Sequence, residues 1–188
     1  MRIVGIDPSL QQTGVCILEA GQPPETLSIR SKKQESVYRR QRQILSDVKD
    51  CLLIHDIVVL EDFGISARFA PSGCFCERLE LLGMLKLMCP AVTHLPWLSM
   101  APTMLKRFVT GKGTAHKDEV EMAVRVTWGV PVHNDDEADA YGLARYAQAV
   151  LYEEPAYASR REKFEAYGVN GAHLKAIRSV HTRILQSV

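Results

Sequence analysis

Two apolar runs of strand length, MRIVGID (residues 1–7) and DIVVLED (residues 56–62), carry acids at their ends, Asp7 and Glu61, and a segment of helical period lies between them. Strands separated by a helix can lie side by side in parallel. Their carboxyl ends then meet at one edge of a sheet, the edge at which α/β folds build sites. Neighbouring strands are about 4.8 Å apart. Two carboxylates held that close repel one another and rise in pKa, a cost that a hard cation relieves.

The remaining segments predict an α/β fold with a mixed five-stranded sheet flanked by helices. TGVCILEA and ETLSIRS read as a second and a third strand. Gly14 fits a tight connection after the first strand, and Gly21, Pro23 and Pro24 mark the next turn, so the three form an antiparallel meander. Val37, Ile44, Leu45, Val48, Leu52 and Leu53 share a helical face. Residues 64–75 read as a loop, ERLELLGMLKLM as a helix stopped by Pro90, and AVTHLP as a further strand. APTMLKRFVTG predicts a helix entered near Pro102 and closed by Gly111. A Gly-flanked loop and helix follow in GKGTAHKDEVEMAVRVTWG, and NDDEADAYGLARYAQAVLY is a helix with an acidic first turn. The expected organisation is one domain over residues 1–155. A basic helical extension over 156–188 would pack on that domain or on a dimer partner.

Composition narrows the function classes. A chain of 188 residues that is 46% hydrophobic buries a real core. It has no apolar run of membrane-spanning length and no signal peptide, so a cytosolic protein without membrane association is expected. Five cysteines at irregular spacing argue against a disulfide framework, and Cys74 and Cys76 stand too close for a usual zinc motif. Reduced, mostly buried thiols are expected. The net charge is +1, so nucleic-acid binding must rest on local clusters. Arg30, Lys32, Lys33, Arg39, Arg40 and Arg42 form one; Lys106, Arg107, Lys112 and Lys117 form another; Arg160, Arg161 and Lys163 form a third. Any one of these alone would be an ordinary solvated face.

Asp136 and Asp139, three apart, share a helical face, with Asn134 or Asp135 as the cap. By themselves they suit the helix dipole. Together with Asp7 and Glu61 they supply four carboxylates from two strands and one helix, a donor set for two Mg²⁺ ions.

The Asp of GIDPSLQQTG, the Glu of VVLEDF, the Lys of VTGKGTAHKDEV and the DEADA helix occur in an order that resembles RuvC-type Holliday-junction resolvases, within the ribonuclease-H-like superfamily. The resemblance spans roughly residues 1–150, and VTGKGTAHK is its most specific part. It implies a ribonuclease-H-like fold, with Asp7, Glu61, Asp136 and Asp139 as catalytic metal ligands and Lys117 as a DNA-contacting lysine. It also implies a homodimer that nicks a four-way junction symmetrically and leaves a 5′-phosphate. The expected cofactor is two Mg²⁺ per site, with Mn²⁺ able to substitute. Some features depart from the family pattern. Pro8-Ser9 stands where Pro-Gly is usual, Asp135-Asp136-Glu137 leaves the ligand register open by one residue, and the tail runs past the similar region. The chain looks similar to phage or mobile-element versions, so the expected setting is a bacterial or phage-infected cytoplasm, and branch-migration partners do not carry over.

In this reading Asp7 bridges the two ions, Glu61 and Asp139 hold opposite ones, and Asp136 completes a shell or orients the attacking water. Lys117 acts as a point charge on the phosphate. The DNA-binding set extends to Lys112, Lys106, Arg107, Lys32, Lys33, Arg39, Arg40 and Arg68, with Phe69 placed to stack on an unpaired base. The helix ERLELLGMLKLM bears two apolar stripes, and the second needs cover from the C-terminal helices or a second subunit. The alternatives are a ribonuclease-H-like nuclease for other branched DNA or an RNA–DNA hybrid, an actin-like ATPase fragment, and a non-catalytic nucleic-acid-binding module. An ATPase of that kind closes two such domains over its nucleotide, and this chain has room for one. A binding module has no use for four mutually repelling acids.

Overall fold

The computed structural model describes residues 1–62 and 73–151, together with Ser179 and Thr182. Ile3, Val4 and Ile6 favour a pleated surface and form β1 (Arg2–Asp7). β2 (Gln12–Glu19) pairs antiparallel with β1, and β3 (Glu25–Arg30) antiparallel with β2. Helix α1 (Val37–Asp50) crosses over, capped by Ser36, whose hydroxyl accepts from the Arg39 amide at 3.4 Å. The chain returns in β4 (Ile57–Glu61), parallel to β1, as the two acid-ended runs predict. Then come α2 (Gly73–Thr93), β5 (Leu98–Met100), α3 (Pro102–Thr110), α4 (Lys117–Trp128) and α5 (Asp135–Leu151). The sheet order is β3-β2-β1-β4-β5, a mixed five-stranded sheet. No described helix is long and apolar enough to cross a membrane.

The two-residue period of the strands divides the core. Val4 and Ile6 of β1, with Val58 and Leu60 of β4, face α1 and α2, where Ile44, Val48, Leu81 and Leu85 bury against them. Ile3 and Gly5, with Ile57 and Val59, face α3, α4 and α5. The same alternation places Asp7 and Glu61 on the α5 side.

Helix α5 sits almost on the bare backbone of that face. A Cβ at Gly5 would fall 2.1 Å from the Ala140 carbonyl oxygen, and one at Gly14 would fall 2.0 Å from the Asp136 carbonyl oxygen. Gly14 is therefore not the turn residue expected from its position. It lies inside β2, opposite Asp7, and its missing side chain admits the first turn of α5. Small residues on the helix, Ala140, Ala144 and Ala147, complete the close seat.

Two further expectations change. Helix α2 is not stopped by Pro90 but runs through it to Thr93. Proline within the last turn forfeits a single backbone bond, and Thr93 Oγ1 donates to the Cys89 carbonyl at 3.0 Å. AVTHLP therefore begins in helix, the last strand starts at Leu98, and Gly73–Phe75 is helical rather than loop. Of the cysteines, Cys16 and Cys89 are buried, but Cys76 is exposed.

Substituting Gly5 by alanine should cost about 1–3 kcal/mol of stability, because the new methyl group must displace helix backbone. Denaturant unfolding of the variant measures this.

Candidate functional site

Each acid is brought to the site by its element. Asp7 ends β1, and Glu61 ends β4 one step beyond the Ile6–Leu60 pair. Asp136 and Asp139 descend from α5, whose seat over Gly14 sets their height. Asp7, Glu61 and Asp139 are 6%, 7% and 9% exposed, and Asp136 is half-buried. Asp7 and Glu61 share a hydrogen bond. Burial raises both carboxyls, Glu61 well above its usual range, where Asp7 and Asp139 push it further. Their hydrogen bond lowers Asp7 and raises Glu61. Asp7 Oδ1, fully buried, accepts no hydrogen bond among the described residues. Burial and then the Asp7 charge raise Asp136 to about 6 and Asp139 to about 7.

The acidic trio at the start of α5 splits in three directions. Asp135 pairs with Lys117, the first residue of α4. Asp136 faces the field of Asp7. Glu137 turns to the edge strand: its carboxylate accepts from Thr26 Oγ1 at 3.1 Å, Ser28 Oγ at 2.9 Å and the His133 amide at 3.0 Å. Asn134 caps the helix, its Oδ1 accepting from the Glu137 amide at 3.0 Å. Burial opposes ionisation of Glu137, but the bonds from His133, Ser28 and Thr26 outweigh it and hold the carboxyl below its usual range.

A cleft of about 530 Å³ opens beside the acids, lined by basic Arg30, Lys33, Arg40, Arg78 and Lys117, and by Asp135 and Asp136. Of the residues expected to bind DNA, Lys117, Lys33 and Arg40 stand on this cleft, and Lys106 lies within the field of Asp139. Lys112 is directed elsewhere, with its ammonium 3.7 Å from Glu119. Arg107 packs against Gly113, and Lys32 and Arg39 are exposed. Arg40 lines the cleft without being an exposed cation. It is buried, and its guanidinium donates to the Leu10 carbonyl at 2.6 Å and Ser31 Oγ at 2.9 Å. It thereby pins the turn that follows Asp7. Arg68 and Phe69 lie outside the described residues.

Sequence reading missed Arg78, which shares the cleft with Lys117, and Glu137. Asn134-x-x-Glu137 has the spacing of a capping box, so a signal for Glu137 was present. Arg78 carried none, standing outside the basic clusters and between two glutamates, Glu77 and Glu80, on its helix.

Among known proteins, the family model for crossover junction endodeoxyribonuclease RuvC matches residues 3–145. The chain belongs to the RuvC family. The RuvC of Thermomicrobium roseum is 31% identical over 171 residues, covering 87% of this chain and 99% of the relative. That of Carboxydothermus hydrogenoformans is 28% identical, covering 77% and 93%. A Thermus thermophilus RuvC structure in complex with a Holliday junction substrate shares the fold, with a TM-score of 0.59 at 22% identity, over 77% of this chain and 90% of that one. The RuvC match extends from β1 into α5, so all four acids and Lys117 fall inside it.

The donor set suits hard cations: buried carboxylates, two of them hydrogen-bonded and one with an oxygen that has no partner among the described residues. Among the described residues no three such side chains are already gathered as a finished cation cage. Cations at such a site would be completed by water and substrate phosphate.

The raised acids set a pH dependence. Unfolded carboxyls ionise near pH 4, whereas Asp136 and Asp139 hold their protons to about 6 and about 7. Between these limits the folded chain binds more protons than the unfolded one, so stability falls as pH rises from about 4 to about 7. In chelator, the thermal midpoint should be higher at pH 5 than at pH 8, and Asp139→Asn should shrink the difference. Melting curves at the two pH values measure it.

Proposed function

We propose that this chain is a metal-dependent endodeoxyribonuclease that resolves four-way DNA junctions by paired nicks. Asp7, Glu61, Asp136 and Asp139 hold two Mg²⁺ ions, which Mn²⁺ can replace, and Lys117 contacts the phosphate. The carrying observation is the convergence of buried acids from two parallel strands and one helix, with an orphan oxygen on Asp7, in a member of this family. The names of the relatives support the substrate class, since the Thermomicrobium roseum protein is a crossover junction endodeoxyribonuclease.

A bound pair of cations supplies Lewis acidity and charge relief at the phosphate. The chain's own residues do the rest. Asp7, fixed between strand, helix and the Arg40-pinned turn, sets the site's origin. Glu61, at the end of β4 beside Asp7, would supply a second strand-borne carboxylate to the cations. Asp136, the more open acid, orients the attacking water in line with the departing O3′. Asp135 directs the Lys117 ammonium toward the phosphate side of the cleft. Attack at phosphorus breaks the P–O3′ bond and leaves a 5′-phosphate and a 3′-hydroxyl, ends that a ligase can rejoin.

The enzyme acts as a homodimer. Leu87 is 78% exposed on α2, next to Gly83 and Ala91 on the same solvent-facing side. A second copy covers this face, and a two-fold axis relates the two nicks.

Asp7→Asn should abolish junction cleavage and leave junction binding in place. The decisive assay incubates the protein with four-way junction, flap, linear duplex and RNA–DNA hybrid in Mg²⁺ or EDTA. Selective, EDTA-sensitive nicking of the four-way junction is the expected result. Preference for the hybrid, or full activity in Asp7→Asn, would overturn the assignment. Leu87→Asp should shift the protein to monomer in sedimentation and slow the second nick.

A further inference from the structure

Arg78 lines the cleft, but the chemistry proposed above gives it no role. It stands on α2, on the wall of the cleft that also holds Ser9, Lys117 and Asp136. Its charge acts on Asp7, Glu61 and Asp136, while that of Lys117 acts on Asp7, Asp136 and Asp139. The two cations line one cleft, one from α2 and one from α4, and between them their charges reach all four carboxylates. In the resting chain the Lys117 ammonium already pairs with Asp135 beside the acids. Once divalent cations load, a guanidinium facing the same acids is repelled by the new positive charge. An anion entering the cleft reverses that repulsion. A guanidinium fork matches a phosphate in two parallel hydrogen bonds, which an ammonium cannot do.

On the reading of this site as a nuclease centre, we propose that Arg78 is a second phosphate-contacting residue. It grips a non-bridging oxygen of the scissile phosphodiester from the α2 wall, opposite Lys117. The grip neutralises charge that builds on the phosphate during attack, so its contribution appears in the cleavage rate rather than in cation loading.

The test is single-turnover cleavage of a four-way DNA junction by the full chain across a Mg²⁺ titration. Arg78→Ala and Arg78→Lys are compared with wild type, and junction binding is measured in Ca²⁺. At saturating Mg²⁺, Arg78→Ala should cut slower by on the order of 100-fold. Arg78→Lys, which keeps the charge and stem but loses the fork, should fall between the two, with junction binding little changed. If Arg78 only balances the acids, its removal makes cation loading easier. Arg78→Ala would then need less Mg²⁺ and reach the wild-type rate, which overturns the proposal. Should Arg78→Ala fail to fold by circular dichroism, Arg78→Lys decides alone, and a wild-type rate for it is the overturning result. Wild-type protein that leaves the junction intact in Mg²⁺ overturns the reading of the site itself, a distinct outcome.

Discussion

The seat of α5 on the bare backbone of β1 and β2 governs the rest of the molecule. Helices packed through side chains stand 8–10 Å from their neighbours. Here two glycines remove the intervening side chains, and the Asp136 and Ala140 carbonyl oxygens occupy the space their Cβ atoms would need. Short aspartate side chains on the helix can then reach the sheet edge where Asp7 and Glu61 emerge. A larger residue at position 14 would lift that turn and separate the acids without altering any of them.

The site is kept in an uncomfortable electrostatic state. Three carboxylates are more than nine-tenths buried, and the chain relieves them only in part, with a hydrogen bond between two of them, a lysine pair and a neighbouring guanidinium. Paired charge would have been cheaper if stability alone were at stake. Glu137, one residue from Asp136, shows the contrast. It is equally buried, yet it is saturated with hydrogen bonds and held in its ionised form. One carboxylate in the same turn anchors the helix, and its neighbours are left available for chemistry.

Much of this was legible in the sequence. The two strand runs ending in acids fixed the parallel pairing of β1 with β4, and the three-residue spacing put Asp136 and Asp139 on one face. Spacing sets a face but not its rotation, so the split of Asp135 from Asp136 waited for the contact with Lys117. Gly14 was misread because glycine in sequence marks both turns and close approaches. Pro90 was misread because its cost depends on how near the helix end lies. Arg40 looked like its neighbours in a basic run, and sequence does not reveal a guanidinium folded inward onto a carbonyl. Arg78 had no pattern to join, since its partners come from two strands and a distant helix.

The Glu137 clamp bears on how the chain assembles. Thr26 and Ser28, on the edge strand, reach their carboxylate partner across 111 and 109 residues of sequence. Gly5 and Gly14 likewise wait for a helix encoded more than 120 residues later. The N-terminal meander thus carries a thin, partly polar face that nothing local can cover. A chain leaving the ribosome can complete the α1 and α2 side of its sheet well before the other. The acids gather only when α5 docks, so closure of this long-range contact, slow in kinetic terms, is also the step that creates the site.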